Sequence, residues 1–273
     1  MNREFAPYSV LMSVYKKETP ENLKTSVESI FRQTVLPNDF VLVIDGPVGI
    51  ELKDEILRLE KKYSLNLVYL KENVGLSGAL NEGLKKCECE IVARMDSDDI
   101  SLADRMEKQL ELMKNENADI VSAQISEFES DCDKITGQRN VPLMHSEIVK
   151  FARKRTPFNH PATVYKKSIV LDAGGYMDYE FFEDYELFAR LLSKGAVGAN
   201  CEESLVLMRT GEGLIKRRGG IHYVKCLRRF YKRMRELNLC SFKETLMVEF
   251  PRMVIALLPN EVRKIVYQKF LRG

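Results

Sequence analysis

Ile91-Val92-Ala93-Arg94-Met95-Asp96-Ser97-Asp98-Asp99 reads as a strand that runs into three carboxylates. Acids packed this closely repel and raise one another's pKa unless a cation sits among them. A hard divalent ion, Mg²⁺ or Mn²⁺, held by carboxylate oxygens and by a substrate's phosphates, answers that repulsion. A solvated acidic turn that caps the next helix explains the same residues, because a D-x-D is common. The neighbouring sequence decides between the two.

Upstream, Tyr8 to Tyr15 reads as a buried strand, and Thr19-Pro20 as a helix N-cap followed by proline at the first helical position. Leu23, Val27, Ile30 and Phe31 recur at helical spacing. Phe40 to Ile44 is a continuous apolar strand ending at Asp45-Gly46-Pro47. Leu52, Ile56, Leu59 and Tyr63 mark a second helix, Leu67 to Leu70 a third strand, and residues 76–86 a third helix. Downstream, Ser101 is expected to cap a helix carrying Leu102, Met106, Leu110 and Met113, and Ala118 to Ala123 gives another strand. Alternating helices and fully apolar strands predict an α/β fold, a mostly parallel Rossmann-like sheet flanked by helices. In such sheets ligands bind beyond the carboxyl ends of the strands, where Asp45 and the Asp96–Asp99 cluster both fall. There is no G-x-G-x-x-G after the first strand and no G-x-x-x-x-G-K-[ST] anywhere. A dinucleotide site and a P-loop are therefore disfavoured, and a metal is what this edge would need to hold a diphosphate.

The second half is less regular. Residues 126–145 read as loops and short strands, 145–154 as a short helix, and Pro157 to Pro161 as turns. A strand over Ala162 to Tyr165 and a helix from Lys166 to Ala173, stopped by Gly174-Gly175, come next. Glu183 to Ser193 reads as a helix with Leu187, Leu191 and Leu192 facing the core and Gly195 as its C′ residue. From Gly220 onward the chain is helical, basic and amphipathic, in two or three helices broken by Pro251 and Pro259.

The 273 residues allow one large domain with an appended module. The N-terminus lacks an apolar signal-peptide region, and Met253 to Leu258 falls well short of the ~20 residues that span a bilayer. The six cysteines fit no zinc spacing and read as free thiols in a reducing cytosol, and the three scattered histidines argue against a His-based metal site. The net charge of +2 hides an asymmetry: residues 216–273 carry +11 and the rest −9, so the tail is expected to meet something anionic.

Residues 8 to about 215 resemble the family 2 inverting glycosyltransferases, nucleotide-sugar-dependent enzymes of the GT-A fold, and look most like bacterial exopolysaccharide or capsule enzymes of the amylovoran-biosynthesis kind. The resemblance rests on Ser9 to Tyr15 with Glu18, Val43 to Gly46, Asn73 to Leu76 with Ala79-Leu80-Asn81, Met95 to Asp99, Asn159-His160-Pro161, Gly174-Gly175-Tyr176 and Glu183 to Leu187. It implies that Tyr15 and Glu18 line the base and ribose, and that Asp45 accepts a hydrogen bond from uracil. It places Asn73, Gly75 and Asn81 near the nucleotide and phosphates, and Asp96 and Asp98, with Asp99 beside them, on a Mn²⁺ or Mg²⁺ ion. Asp184 becomes the catalytic base, with Glu183 the alternative, and His160, Gly175 and Tyr176 fall on the acceptor side. Arg209, with Lys216, Arg217 and Arg218, forms a basic cluster in a glycine-rich loop that could close over a diphosphate.

The resemblance thus implies metal-dependent inverting transfer of a sugar, from a UDP-sugar by preference, to a hydroxyl of a glycan or polyprenyl-linked oligosaccharide. A sugar nucleotidyltransferase is the enzymatic rival, but Val14-Tyr15-Lys16-Lys17-Glu18 lacks the glycines its first loop requires. A non-catalytic scaffold is the other, opposed by the intact Asp96, Asp98 and Asp184. Catalytic residues 1–220 divide into a nucleotide-sugar half (1–125) and an acceptor half (126–220). Residues 221–273 form a basic helical extension, read as lying on an anionic membrane surface, with a subdomain packed on the core or another subunit as the alternative. The expected location is cytoplasmic, peripheral at the inner face of the cell membrane. A homo-oligomer is compatible with this reading, and nucleic-acid binding is not expected.

Overall fold

β1 (Tyr8–Val14) is largely apolar, with only Ser9 and Ser13 polar, because the sheet it belongs to is covered on both faces. In the computed structural model, which describes residues 5–211 and 218–266, it pairs in parallel with β2 (Asp39–Ile44) and with β4 (Ile91–Asp96). β3 (Asn66–Tyr69) adds to β2, also in parallel. The crossovers are α1 (Pro20–Ile30), α2 (Ile50–Tyr63) and α3 (Gly75–Leu84). Thr19 caps α1, accepting from Asn22 N at 3.2 Å, with Pro20 in the first turn as its sequence predicts.

The parallel pattern stops at β4. Beyond it the sheet is mixed: β8 (Val164–Lys166) lies antiparallel between β4 and β6 (Ile120–Phe128), while β9 (Gly198–Arg209) runs parallel to β6. β7 (Ile135–Arg139) and the two-residue β5 (Ile100–Ser101) join the far edge antiparallel. The order is β3-β2-β1-β4-β8-β6-β9-β5, with β7 beside β6. Helices α4 (Arg105–Asn115), α5 (His145–Phe151), α6 (Lys167–Asp172) and α7 (Glu183–Ser193) cover this half.

Two sequence expectations are corrected. Ser101 does not cap α4, which begins after Asp104. Ser101 sits instead in β5, where its N–H donates to Ser29 Oγ at 3.0 Å and the following Leu102 N–H donates to Leu205 O. Partners distant in sequence outcompete the local cap. Nor does Pro251 end a helix: it lies inside the helix Phe242–Leu257, whose start is fixed by a capping box between Ser241 and Glu244. Pro259 does separate that helix from the next.

The tail supplies α8 (Gly220–Glu236), α9 (Phe242–Leu257) and α10 (Asn260–Val266). Tyr223, Leu227, Phe230, Tyr231 and Met234 of α8 recur on one face and enter a core with Phe182, Tyr185 and Ala189. This core joins the tail to the start of α7. The outward face of α9 keeps Phe242, Leu246, Met247, Phe250, Val254 and Leu257 exposed. No helix among the described residues is long and apolar enough to cross a membrane.

Candidate active site

β4 delivers the acids as expected, and a cation comes with them. Arg94, 1% exposed, reaches forward two residues, donates Nη1–H to Asp96 Oδ2 at 2.8 Å, and pairs through Nη2 with Asp96 Oδ1. A buried guanidinium needs such a partner, and the bidentate fork suits a carboxylate. Arg105, fully buried on α4, supports the strand by donating to Arg94 O at 2.9 Å, with Gln109 Oε1 accepting from its Nε at 2.8 Å. Burial lowers the Arg105 pKa to about 10.

The loop after β4 is pinned on both sides. Glu18, in the loop between β1 and α1, accepts from Ser97 Oγ at 2.7 Å, and Ser26 Oγ donates to Asp96 O at 2.8 Å. From the other side the Arg209 backbone N–H donates to Asp99 Oδ1 at 2.8 Å, and Arg209 Nε to Asp98 O at 3.2 Å. Arg209, expected to close over a diphosphate, is thereby engaged with the acidic loop, its guanidinium stacked on Phe128. Lys216 and Arg217, its sequence companions, lie outside the described residues.

Asp96, Asp98 and Asp99 bring oxygens together closely enough to hold one ion. Burial first, and then the charges of Asp96 and Glu18, push the Asp98 pKa up to about 6. Asp99 is driven further upward by burial, then by Asp96 and Asp98. Its Oδ2 is buried without a hydrogen-bond partner among the described residues. Hard carboxylate oxygens, mutual repulsion and an orphaned acceptor fit a Mg²⁺ or Mn²⁺ ion.

Beside this loop Asp45 orders the second strand end. Its carboxylate accepts from Asn73 Nδ2 at 2.8 Å, Val74 N at 2.7 Å and Gly75 N at 3.1 Å. It therefore fastens the 73–75 loop to β2, in addition to the uracil contact the resemblance implies. Gly46 is required here: at φ +82°, a Cβ would lie 2.6 Å from Asn73 N. Tyr15 stands at the same edge, 43% exposed.

The opposite wall comes from α3 and the segment before α7. Asn81 clasps Tyr176, accepting its N–H at 2.7 Å and donating to its carbonyl at 2.8 Å. Gly175, at φ +72°, passes so close that a Cβ would meet Asn81 Oδ1 at 2.5 Å. His160 Nε2 and Tyr176 Oη lie 3.0 Å apart, and both side chains are buried. Burial, then the Arg94 charge, holds the His160 pKa well below its usual value, so the ring is neutral. His160 and Tyr176, expected on the acceptor side, thus build the wall from behind, while Gly175 contributes backbone.

Glu183 and Asp184 open α7, where acids complement the helix dipole. Asp184 Oδ1 accepts its neighbour Tyr185 N–H at 2.7 Å, and burial raises its pKa above the ordinary value. Burial and then the Asp184 charge take Glu183 up to about 7; Asp96 adds to this rise, so the two acidic groups share one site.

The sequence contained two further signals whose meaning waited for the fold. Arg94 stands out as a charge inside an apolar strand. Glu186 and Arg190 are charges one turn apart on the buried side of α7, paired at 2.7 Å, and Arg190 also donates to Ala173 O and Gly175 O. Arg233 of α8 completes the set at 3.2 Å from Glu186. Phe182 stacks on Phe230 at 4.8 Å, and Arg229 covers the Tyr179 ring. The tail helix therefore grips the segment leading into Asp184.

The model of glycosyltransferase family 2 matches residues 9–174, which include nearly all of β1, the Asp45 loop, the acidic loop, Asn81 and His160. The chain belongs to glycosyltransferase family 2. The glycosyltransferase is 36% identical to the amylovoran biosynthesis glycosyltransferase AmsE of Erwinia amylovora, over 97% of this chain and all of that one. It is 35% identical to the UDP-Gal:alpha-D-GlcNAc-diphosphoundecaprenol beta-1,3-galactosyltransferase of Escherichia coli, over 100% of this chain and 99% of that one. S. aureus TarS, solved with UDP-GlcNAc, superposes with a TM-score of 0.69 at 16% identity, covering 97% of this chain and 76% of that chain. The fold is thus GT-A. Its family and its named relatives make the protein a glycosyltransferase.

Proposed function

We propose that this enzyme catalyses metal-dependent, inverting transfer of a sugar from a UDP-sugar to a hydroxyl of a polyprenyl-linked glycan. The observation that carries this reading is the pairing, in one site, of an acidic loop whose Asp96, Asp98 and Asp99 oxygens converge with a raised carboxylate, Asp184, on the facing wall.

Asp98 is the principal metal ligand, with Asp96 and Asp99 beside it; when bound, the ion neutralises the diphosphate charge that builds as the sugar leaves. The uracil and ribose lie against Tyr15, Glu18 and Asp45, and the Asn73–Gly75 loop and Asn81 stand by the nucleotide and phosphates. Asp184 takes the proton from the acceptor hydroxyl as that oxygen attacks the anomeric carbon from the side opposite the diphosphate, which inverts the configuration. A raised pKa suits this step, because a more basic carboxylate accepts the proton more readily. Glu183, near pH 7 only part-ionised, adds little competing charge.

A UDP-sugar donor and a polyprenyl diphosphate-linked acceptor follow from the Escherichia coli relative's name. The exposed apolar side chains of α9, beside a tail rich in lysine and arginine, support docking on the anionic cytoplasmic face of the membrane.

Calorimetric titration with UDP, GDP and TDP, with and without Mn²⁺, tests the central claim. Tight binding of UDP that requires Mn²⁺ is expected; the same weak binding of all three regardless of metal would remove it. For the membrane, co-sedimentation with phosphatidylglycerol vesicles should fall sharply in Leu246→Glu/Phe250→Glu, and equal partitioning refutes the docking.

A further inference from the structure

α8 carries His222 and Cys226 one helical turn apart, on the face turned toward the loop before α7. Glu180 of that loop stands opposite, with Oε2 2.7 Å from His222 Nε2. Cys226 Sγ lies 3.8 Å from the same ring nitrogen and 4.0 Å from the same carboxylate oxygen. The fold thus joins an imidazole, a thiol and a carboxylate from positions up to 46 residues apart. In the sequence His222 is one of three scattered histidines and points to nothing.

We propose that Glu180, His222 and Cys226 form a Zn²⁺ site, separate from the acidic site at the end of β4. The donor set decides the ion: nitrogen and sulfur ligands suit Zn²⁺, whereas Mg²⁺ and Mn²⁺ prefer the all-oxygen loop of Asp96, Asp98 and Asp99. The spacing agrees. Ligands at ~2.0–2.3 Å on a tetrahedral ion stand roughly 3.3–3.8 Å from one another, close to the two sulfur separations. The Glu180–His222 hydrogen bond must open most, by about 0.6 Å, as the ion replaces its proton. The side chains are exposed or half-buried, which leaves water as the fourth ligand.

The backbone holds the corner in place. Phe181 takes a left-handed conformation, φ 71°, costly for a side chain of this size. Its ring packs edge-on against His222 at 6.1 Å and Tyr223 at 5.3 Å, and so aims Glu180 at α8. Coordination releases the Cys226 proton to solvent, moves the His222 proton to Nδ1 and leaves Glu180 ionised. Because each ligand must be deprotonated to coordinate, Zn²⁺ binds more weakly as pH falls. An occupied site would tie the Glu180 loop, three residues before Glu183, to the tail helix.

The test uses the full-length, chelator-treated protein and Co²⁺ as an optical substitute. Stoichiometric Co²⁺ should give a thiolate-to-cobalt charge-transfer band in the near ultraviolet, abolished by Zn²⁺. The oxygen-only acidic loop is silent in that band. Cys226→Ser should lose it while keeping its circular dichroism and its Mn²⁺-dependent UDP binding, so the outcome is independent of the donor site. Glu180→Gln and His222→Ala should each weaken Zn²⁺ by about 10- to 100-fold or more. Absence of the band in the parent protein, or its persistence in Cys226→Ser, overturns the proposal.

Discussion

The two acidic groups of the active site are held in opposite ways. Asp96, Asp98 and Asp99 lie in a tight loop after a buried strand, fixed by Arg94, Ser97 and Arg209, and burial first, then neighbouring acids, raise the pKa values of Asp98 and Asp99. Glu183 and Asp184 start a helix whose approach is gripped by aromatic packing from α8, and Asp184 is raised by burial without the help of a neighbouring acid. On the proposed mechanism the first group would hold a cation. The second depends on placement. A change to either should therefore fail in its own way.

Asp184→Asn should break the comparison most clearly. Removing a positioned base costs about 10²–10⁴ in rate, so kcat should fall by about a thousandfold while the Kd for UDP with Mn²⁺ stays within about threefold; retained transfer would unseat the base.

Phe230→Ala reaches the same group through packing. Emptying a buried aromatic position costs about 3 kcal/mol or more, and the Tm should drop accordingly. Transfer, measured at a temperature where the variant is folded, should also fall, because Phe182 loses the ring that locates α7. A stability loss with unchanged kcat would show that α8 supports the fold alone.

Asp98→Asn should act on the other side. Metal-dependent UDP binding should weaken by roughly 2 kcal/mol, as for losing a charged partner, and added Mn²⁺ should no longer raise the Tm. Without metal the same variant should be more stable than its parent at neutral pH, by about 1 kcal/mol after allowance for solvent screening.

The smallest effect is in pH. Asp98 binds its proton more tightly folded than unfolded, so its penalty is absent below pH 3.8 and grows as pH rises through about 6. The metal-free Tm should therefore decline from pH 5 to pH 7, and Mn²⁺ should flatten that decline. Transfer should have the opposite sign, rising with pH as Asp184 ionises, with a midpoint above the ordinary aspartate value of 3.8.

The half of the molecule that carries the acidic loop was largely legible in the sequence. Its strands are largely apolar, its helices keep a regular apolar spacing, and both Asp45 and Asp96 sit where a parallel sheet must end. The far half was not, because β8 enters antiparallel and β6 and β9 pair across 78 positions. Ser101 and Pro251 show the same limit at single residues. Each sends a strong local signal, and distant partners or neighbouring turns override it.

By itself the sequence determined the alternation of strands and helices, the acids at the strand ends and the charge divide of the tail, because periodicity, turn chemistry and charge are local properties. Only the tertiary structure decided what those charges meet. Arg94 finds Asp96, Arg209 finds Asp99 across 110 positions, and α8 closes on the segment before Asp184 with a face that looked, in sequence, like any amphipathic stripe. A charge takes its role from its nearest neighbours in a low dielectric, and those neighbours are chosen by the fold.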